Sequence, residues 1–415
     1  RDNVYDGRLG NRDWNAIRAK YAAVAATPDV EALALICNLM TGELNGSHLG
    51  FTARNRGGAP QGPPAMPPGA PPAPPGTPGA PAAPEPSASW RPSTVHLGVR
   101  FDPKFAGPGW KVKDVIPDGP ATRERSKLAA GDVVFQVEGK PVGPNVDPTL
   151  HLNVPADREV ALLVKDAAGK ERTVSIRPVS YAAVGPLLYE EWLKKNRKAV
   201  ETASGGEVGY LYIRGMDWPS FQRLEEELCS VGTGRKGLII DVRENGGGST
   251  ADHLLTVLCQ PRHAFTVPRG GGTGYPGDRI VYATWNKPIV VLCNQNSFSN
   301  AEIFSHAIKV LKRGALVGVP TAGGVISTGA APVMDVGQVR LPFRGWFNPL
   351  TGEDMELNGA VPDIVLWPEP ADTAAGKDRQ LETAVAEIKK AIAAPQASAT
   401  VKPKYASERT DAGGQ

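Results

Sequence analysis

The sequence predicts a multidomain α+β protein: a small helical domain, a compact β domain and a larger α/β domain. Three observations carry this. Residues 95–180 hold short alternating segments separated by Gly, Pro and Asp turns. Beyond them strand and helix patterns alternate, and "KGLIIDVR" and "KPIVVLCN" are continuously apolar, as strands buried on both faces of a parallel sheet are. Between the first fifty residues and the β domain lies "GGAPQGPPAMPPGAPPAPPGTPGAPAAPEP", which sustains neither a helix nor a sheet ladder.

Residues 1–53 read as an N-terminal helical domain. "NRDWNAIRAKYAAVAA" sets Trp14, Ile17, Tyr21 and Val24 at helical spacing, and "DVEALALICNLMTGEL" is a second helix with Asp29 as N-cap. "TGELNGSHLGF" then breaks the pattern and puts Ser47 and His48 in a turn. Residues 54–94 are expected to be a disordered Pro-rich linker with polyproline II character. In 95–180 the strands are "HLGVRFD", "WKVKDVI", "DVVFQVEG", "EVALLVKD" and "RTVSIRPV", with the helix-like "GPATRERSKLAAGD" between the second and third. From 181 to 397 the order is strand "EVGYLYI", helix "DWPSFQRLEEELCSV", strand "KGLIIDVR", loop "ENGGGST", helix "ADHLLTVLCQ", strand "KPIVVLCN", helix, strand "GALVGVP", antiparallel "VMDVGQVRLPF" and a closing helix "DRQLETAVAEIKKAIA". Residues 398–415 read as a disordered tail.

Composition excludes several classes. The 415 residues carry a net charge of +3, too little to argue for nucleic acid or an anionic surface. No apolar run approaches the roughly 20 residues of a membrane span. The four cysteines, Cys37, Cys229, Cys259 and Cys293, lie in apolar contexts without a C-x-x-C pair and read as reduced thiols. The six histidines are scattered, so neither a zinc site nor another cofactor is expected. The sequence starts at Arg1 without a signal-peptide pattern, which reads as a processed or shortened chain with room for further domains upstream.

Two loops could carry chemistry. "Ser299-Asn300-Ala301-Glu302" has the capping-box form ahead of an apolar-periodic helix, a complete structural explanation for Ser299. It also follows a buried strand, where parallel sheets open to ligands, and a helix N-terminus offers free N–H groups to an oxyanion. The loop "ENGGGST" lacks the Lys of a P-loop and the spacing of a Rossmann fingerprint, leaving an N–H-lined oxyanion hole or a plain turn. A serine nucleophile needs a base. His306 stands one helical face along from Ser299, His253 begins a helix, and His48 lies in a glycine-flanked turn beside Ser47; spacing does not choose among them.

"IPDGPATRERSKLAAGDVVFQVEGKPV" resembles a PDZ domain. Together, "GYLYIRGM", "GLIIDVRENGGG", "NSFSNAEIFSHAIK", "VGVPTAGG" and "ELNGAVPDIVL" resemble the S41 superfamily of serine peptidases, with its crotonase/ClpP-like α/β domain. The arrangement is most similar to the tricorn branch, in which a helical domain and a PDZ domain precede the catalytic one. The resemblance implies Ser299 as nucleophile, His48 as general base, Ser47 and Glu356 completing a tetrad, and Gly248 and Asn300 as oxyanion-hole amides. The Ser–Lys dyad of the processing peptidases has no lysine here, where the sequence reads Thr321-Ala322-Gly323-Gly324. Thr266 stands where the tricorn branch has an acid that selects basic side chains, so an apolar P1 residue is expected.

The expected function is therefore serine-type hydrolysis of unfolded polypeptides or oligopeptides by an endopeptidase. Polypeptide C-termini are expected as ligands of the PDZ domain near residues 95–99, and self-association into a homo-oligomer is implied by the resemblance. The expected compartment is cytoplasmic, with the periplasm as alternative. The tricorn branch also carries upstream β-propellers, which this sequence does not contain. The competing reading is an inactive PDZ-bearing scaffold or ligand-binding module on the same fold.

Overall fold

The computed structural model describes residues 4–26, 29–54, 94–156, 158–261, 263–272, 274–275, 283–394 and 402–408. The expected linker lies outside these residues, as does most of the expected tail. Two compact units make up the protein, one of residues 1–56 with 197–415 and one of 57–196.

The first unit starts with α1 (Trp14–Ala22) and α2 (Val30–Gly42), capped by the side chains of Asp13 and Asp29. Strand β1 (Gly50–Ala53) follows. Asn38 of α2 clamps it by acting as a strand would: its side-chain oxygen accepts the Phe51 N–H at 2.8 Å and its amide donates to the Phe51 carbonyl at 2.9 Å. The N-terminal helices were expected to be a domain of their own. They instead belong to the compact unit of the α/β region, because β1 completes a sheet with strands near residue 340.

The second unit is the β domain. Its strands are β2 (Val95–His96), β3 (Val99–Phe101), β4 (Trp110–Val115), β5 (Val133–Val137), β6 (Lys140–Pro141), β7 (Val160–Lys165), β8 (Glu171–Ile176) and β9 (Val179–Ser180), with a short helix α3 (Thr149–Leu152). One sheet runs β3-β4-β5-β7-β8 with β6 on β5, and β2 pairs β9. Val112, Val134, Val137, Val160, Leu162, Val164 and Ile176 fill its core at 0–1% exposure, as alternation along these strands predicts. The segment expected as a helix after β4 is two 3₁₀ turns, Pro120–Thr122 and Glu124–Ser126. The long α4 (Tyr181–Ser204), which the sequence patterns do not announce, leads from one unit into the other.

The α/β region of the first unit continues with β10 (Val208–Tyr212), α5 (Trp218–Ser230), β11 (Gly237–Asp241), α6 (Ala251–Leu258), β12 (Ile289–Cys293), α7 (Asn300–Val310), β13 (Ala315–Gly318), β14 (Ser327–Val333), β15 (Gly337–Arg344), β16 (Ile364–Val365), α8 (Pro370–Ala374) and α9 (Arg379–Ala393). Strands β10-β11-β12-β13-β16 form a parallel sheet in that order, and every residue of β11 and β12 is buried. This is the covered parallel sheet that the apolar runs predict. Strands β1, β15 and β14 make a separate antiparallel sheet, with Gly50 opposite Arg340 and Phe51 opposite Val339. Gly337 has no side chain because a Cβ there would stand 2.6 Å from the Phe51 ring. Among the described residues no helix is long and apolar enough to cross a membrane.

A largely buried ionic cluster joins the closing helix to β11. Arg243 bridges Asp241 at 2.7 Å and Asp378, the N-cap of α9, at 2.8 Å, and Tyr210 donates to Asp241 at 2.8 Å. Removing the cation leaves the fully buried Asp241 carboxylate without its counter-charge and beside a second carboxylate, that of the partly exposed Asp378. Arg243→Ala is therefore expected to cost about 3–5 kcal/mol of stability, read from the urea midpoint. A loss under ~1 kcal/mol, the value of a surface pair, would contradict a structural role for the cluster.

Candidate active site

Ser299 stands between β12 and α7, as the residue that ends the loop and caps the helix. Its backbone lies at φ 57°, ψ −118°. That conformation suits glycine, and a serine held there is under strain. What holds it is Glu302, fully buried one helical turn along. Glu302 accepts the Ser299 N–H at 3.0 Å, the Thr321 hydroxyl at 2.6 Å, the Gly324 N–H at 2.8 Å and the Gly323 N–H. A capping box accounts for only one of these four contacts. The other three tie the helix start to the Thr321–Gly324 segment, so the place expected to hold a lysine in a dyad enzyme carries backbone donors turned to a carboxylate.

The glycine loop abuts Ser299. A Cβ on Gly247 would lie 2.7 Å from the Ser299 Cβ and 3.0 Å from the Asn300 N, and a Cβ on Gly248 would lie 2.0 Å from the Met216 carbonyl. No side chain fits at either position. The flanking bonds run from Met216 N–H to Gly247 O at 3.0 Å and from Ser249 N–H to Met216 O at 2.7 Å, and neither engages the Gly248 N–H. Asn245, buried at 0% exposure, shapes the turn: it donates to the Ile213 carbonyl, accepts the Gly247 N–H, and its own carbonyl takes the Phe298 N–H. The Asn300 side-chain oxygen accepts the Ala251 N–H at 2.8 Å, which ties the start of α7 to the start of α6.

His48 arrives from the other end of the sequence, delivered by β1 on β15. Its ring stacks on Phe298, the residue before Ser299, with centroids 4.7 Å apart and planes at 19°. The Phe298 ring is also pressed against Gly324, where a Cβ would stand 2.2 Å from it. Ser47 Oγ lies 2.8 Å from His48 Nδ1 and donates to Glu356 Oε2 at 3.0 Å. A hydroxyl has one proton; spent on the carboxylate, it leaves Ser47 to accept from Nδ1–H. The neutral imidazole is then bare at Nε2, the state a base requires. Glu356, 8% exposed, also accepts N–H groups of Ser47 at 2.5 Å, Val325 at 2.9 Å and Ile326 at 3.3 Å. Burial, then the Arg340 charge, hold the His48 pKa below its ordinary 6.5, against the opposing pull of Glu356 and Glu302.

The remaining candidates separate clearly. His306 Nε2 is bonded to the Asn358 carbonyl at 3.1 Å, and His253 packs on Trp218 with ring centroids 4.7 Å apart. Thr266 is exposed, its hydroxyl accepting the Tyr275 N–H within its own loop, and no described contact joins it to Ser299. Sequence reasoning missed Phe298, Asn245 and the wider role of Glu302; the S-x-x-E spacing was the one signal available for the last.

Residues 207–366 match the model of peptidase family S41, and residues 96–181 match that of the tricorn protease PDZ domain. An S41 peptidase domain is part of this protein. Ser47 and His48 lie outside its matched span, in the N-terminal segment. The sequence is similar to "Tricorn protease homolog 1" of Streptomyces coelicolor, 33% identical over 287 residues, which are 67% of this chain and 26% of that one. It is 30% identical over 301 residues to a "Tricorn protease homolog" of Saccharolobus solfataricus, which are 70% and 27%. It thus spans about a quarter of the length of these relatives. The crystal structure of the tricorn protease superposes on 95% of this chain and 36% of its own with a TM-score of 0.72 at 21% identity, which establishes the common fold.

Strain at Ser299 has a measurable consequence. Strain at such a position is on the order of 1–3 kcal/mol, against roughly 0.5–1 kcal/mol for the unfolded-chain entropy of glycine. Ser299→Gly is expected to melt higher than Ser299→Ala, by about 1 kcal/mol at the transition. The reverse order would mean that the S41 domain holds residue 299 without strain.

Proposed function

We propose that the protein is a serine endopeptidase that cleaves unfolded polypeptides or oligopeptides through an acyl-enzyme. The observation that carries this is the hydrogen-bonded row Glu356–Ser47–His48, stacked on the residue that precedes Ser299. Such a row has no structural task that a packed apolar cluster would not serve better, and it leaves the imidazole in the tautomer of a general base.

In this reading Ser299 Oγ attacks the scissile carbonyl carbon and its proton passes to His48 Nε2. The carbonyl oxygen gains the negative charge and is met by the Gly248 and Asn300 N–H groups, with the N-terminus of α7 behind them. The imidazolium then gives its proton to the departing amine as the C–N bond breaks. Water, deprotonated by His48, cleaves the ester and restores Ser299. Glu356 steadies the imidazolium through Ser47.

Around that chemistry we place the further features by analogy with the similar proteins. Peptides are the substrates, and the PDZ domain takes polypeptide C-termini on its sheet edge. The neutral Thr266 favours an apolar P1 residue, and copies of the protein self-associate. Four unpaired thiols suit a reducing compartment, the cytoplasm.

Ser299→Ala is expected to lose at least about a thousandfold in kcat on an unfolded substrate such as casein while melting as a folded protein. Unchanged hydrolysis would exclude Ser299 as nucleophile; no hydrolysis by the unaltered protein would favour the scaffold reading. The base must be neutral, so kcat/KM is expected to rise with pH through a midpoint below 6.5, since His48 is held down in the folded protein. Arg340→Gln removes a charge that lowers that value and is expected to move the midpoint upward, with high salt acting in the same direction. A downward move would contradict the assignment of the limb to His48.

A further inference from the structure

Tyr5 is far in sequence from every group in the proposed reaction, yet it is seated on three sides. Its N–H donates to the Pro342 carbonyl at 2.8 Å. Its ring lies against Gly345, where a Cβ would stand 2.5 Å from the ring Cε2. Its phenol donates to Asp354 Oδ2 at 2.6 Å. The other oxygen of Asp354 accepts the Glu356 N–H at 3.0 Å. Glu356 in turn holds Ser47 and, through it, His48. The row that began at His48 therefore continues two residues further, to the N-terminal segment.

Packing does not enclose this end of the row completely. A cavity of about 200 Å³, lined among others by Leu9, Gly46, Leu49 and Ile326, opens beside Tyr5, Asp354 and Glu356. Side chains next to open space keep their rotamer freedom unless hydrogen bonds restrain them. The Tyr5–Asp354 bond is a restraint on that side, and it fixes the carboxylate oxygen that the Glu356 N–H does not engage. Burial, with the adjoining Asp354 carboxylate, pushes the phenol well above its usual 10, so it remains a donor wherever His48 titrates.

We propose that Tyr5 and Asp354 are positioning residues: they fix the Glu356 backbone and, through Ser47, the orientation of the His48 ring. The inference rests on the peptidase reading above. A simple tether for the N-terminal segment would affect stability alone, whereas a positioning pair also alters turnover and the environment of the imidazole.

Tyr5→Phe deletes one oxygen and keeps both the ring on Gly345 and the N–H bond to Pro342. It is expected to lower kcat roughly tenfold with KM unchanged, because small misplacements of a catalytic group are costly. The His48 titration, followed by NMR of 15N-labelled histidine side chains and assigned by its loss in His48→Gln, is expected to move in the same variant. Asp354→Asn is expected to act in the same direction. A folded Tyr5→Phe protein with full kcat and an unmoved His48 titration overturns the proposal. The NMR readout needs no turnover: if the unaltered protein shows no Ser299-dependent hydrolysis, the peptidase reading fails, and the His48 titration alone decides whether Tyr5 positions the ring.

Discussion

The carboxylate of Glu302 has no water-facing surface, and it is satisfied by four donors, one from the start of its own helix and three from the Thr321–Gly324 segment. An anion taken out of water is costly unless every lone pair is met. That requirement dictates the geometry around it. Ser299 presents its N–H to this carboxylate at the start of α7, and it does so from a left-handed backbone, φ 57°. Thr321, Gly323 and Gly324 must fold back over the helix end, which sets Gly324 against Phe298. Phe298, so confined, offers a face to His48. The Thr321 hydroxyl, by accepting the Ala360 N–H at 2.8 Å, extends the same constraint to the segment that leads out of Glu356. One buried charge thus positions the serine, the ring beneath the histidine and the approach to the acid.

The other half of the site depends on an absence of side chains. Gly247, Gly248 and Gly324 each sit where a Cβ would collide with backbone or with Phe298. The loop approaches Ser299 this closely only because nothing projects from it. The proposed nucleophile and oxyanion donors therefore sit after the ends of β11 and β12 and at the start of α7. The proposed base and its partners sit on turns beside the β1–β15–β14 sheet. The two halves meet at the His48–Phe298 stack, so the accuracy of the site depends on how firmly β1 and the N-terminal segment are fastened.

Much of this was legible in the sequence. Continuous apolar strands announced the parallel sheet, alternating ones the β domain, and Asp29 and the S-x-x-E box marked helix starts that the structure has. Long-range relations were not legible. "TGELNGSHLGF" reads as a turn at the end of a helical domain, and nothing within it says that β1 pairs with residues near 340. The 24-residue α4 was missed because Pro186 and a weakly patterned "VSYAAVGPLLYEEW" obscure its start, while its length comes from packing that a local window cannot see. Glu302 read as a cap because a capping box explains a glutamate there completely; its contacts with Thr321, Gly323 and Gly324 exist only in three dimensions. Thr266 shows the opposite case, a position singled out by resemblance that no described contact links to Ser299.

The central claim is that Ser299 and His48 form one reactive site. A peptidyl chloromethyl ketone tests it directly, because the serine adds to the carbonyl and the imidazole displaces the chloride, joining the two residues through one inhibitor. The hemiketal at Ser299 reverts on denaturation, so after proteolysis and mass spectrometry the account predicts the inhibitor on the His48 peptide, with its formation strongly slowed in the Ser299→Ala protein. Labelling of His48 alone at an undiminished rate in Ser299→Ala, or of neither residue in a folded and hydrolytically active protein, would contradict it.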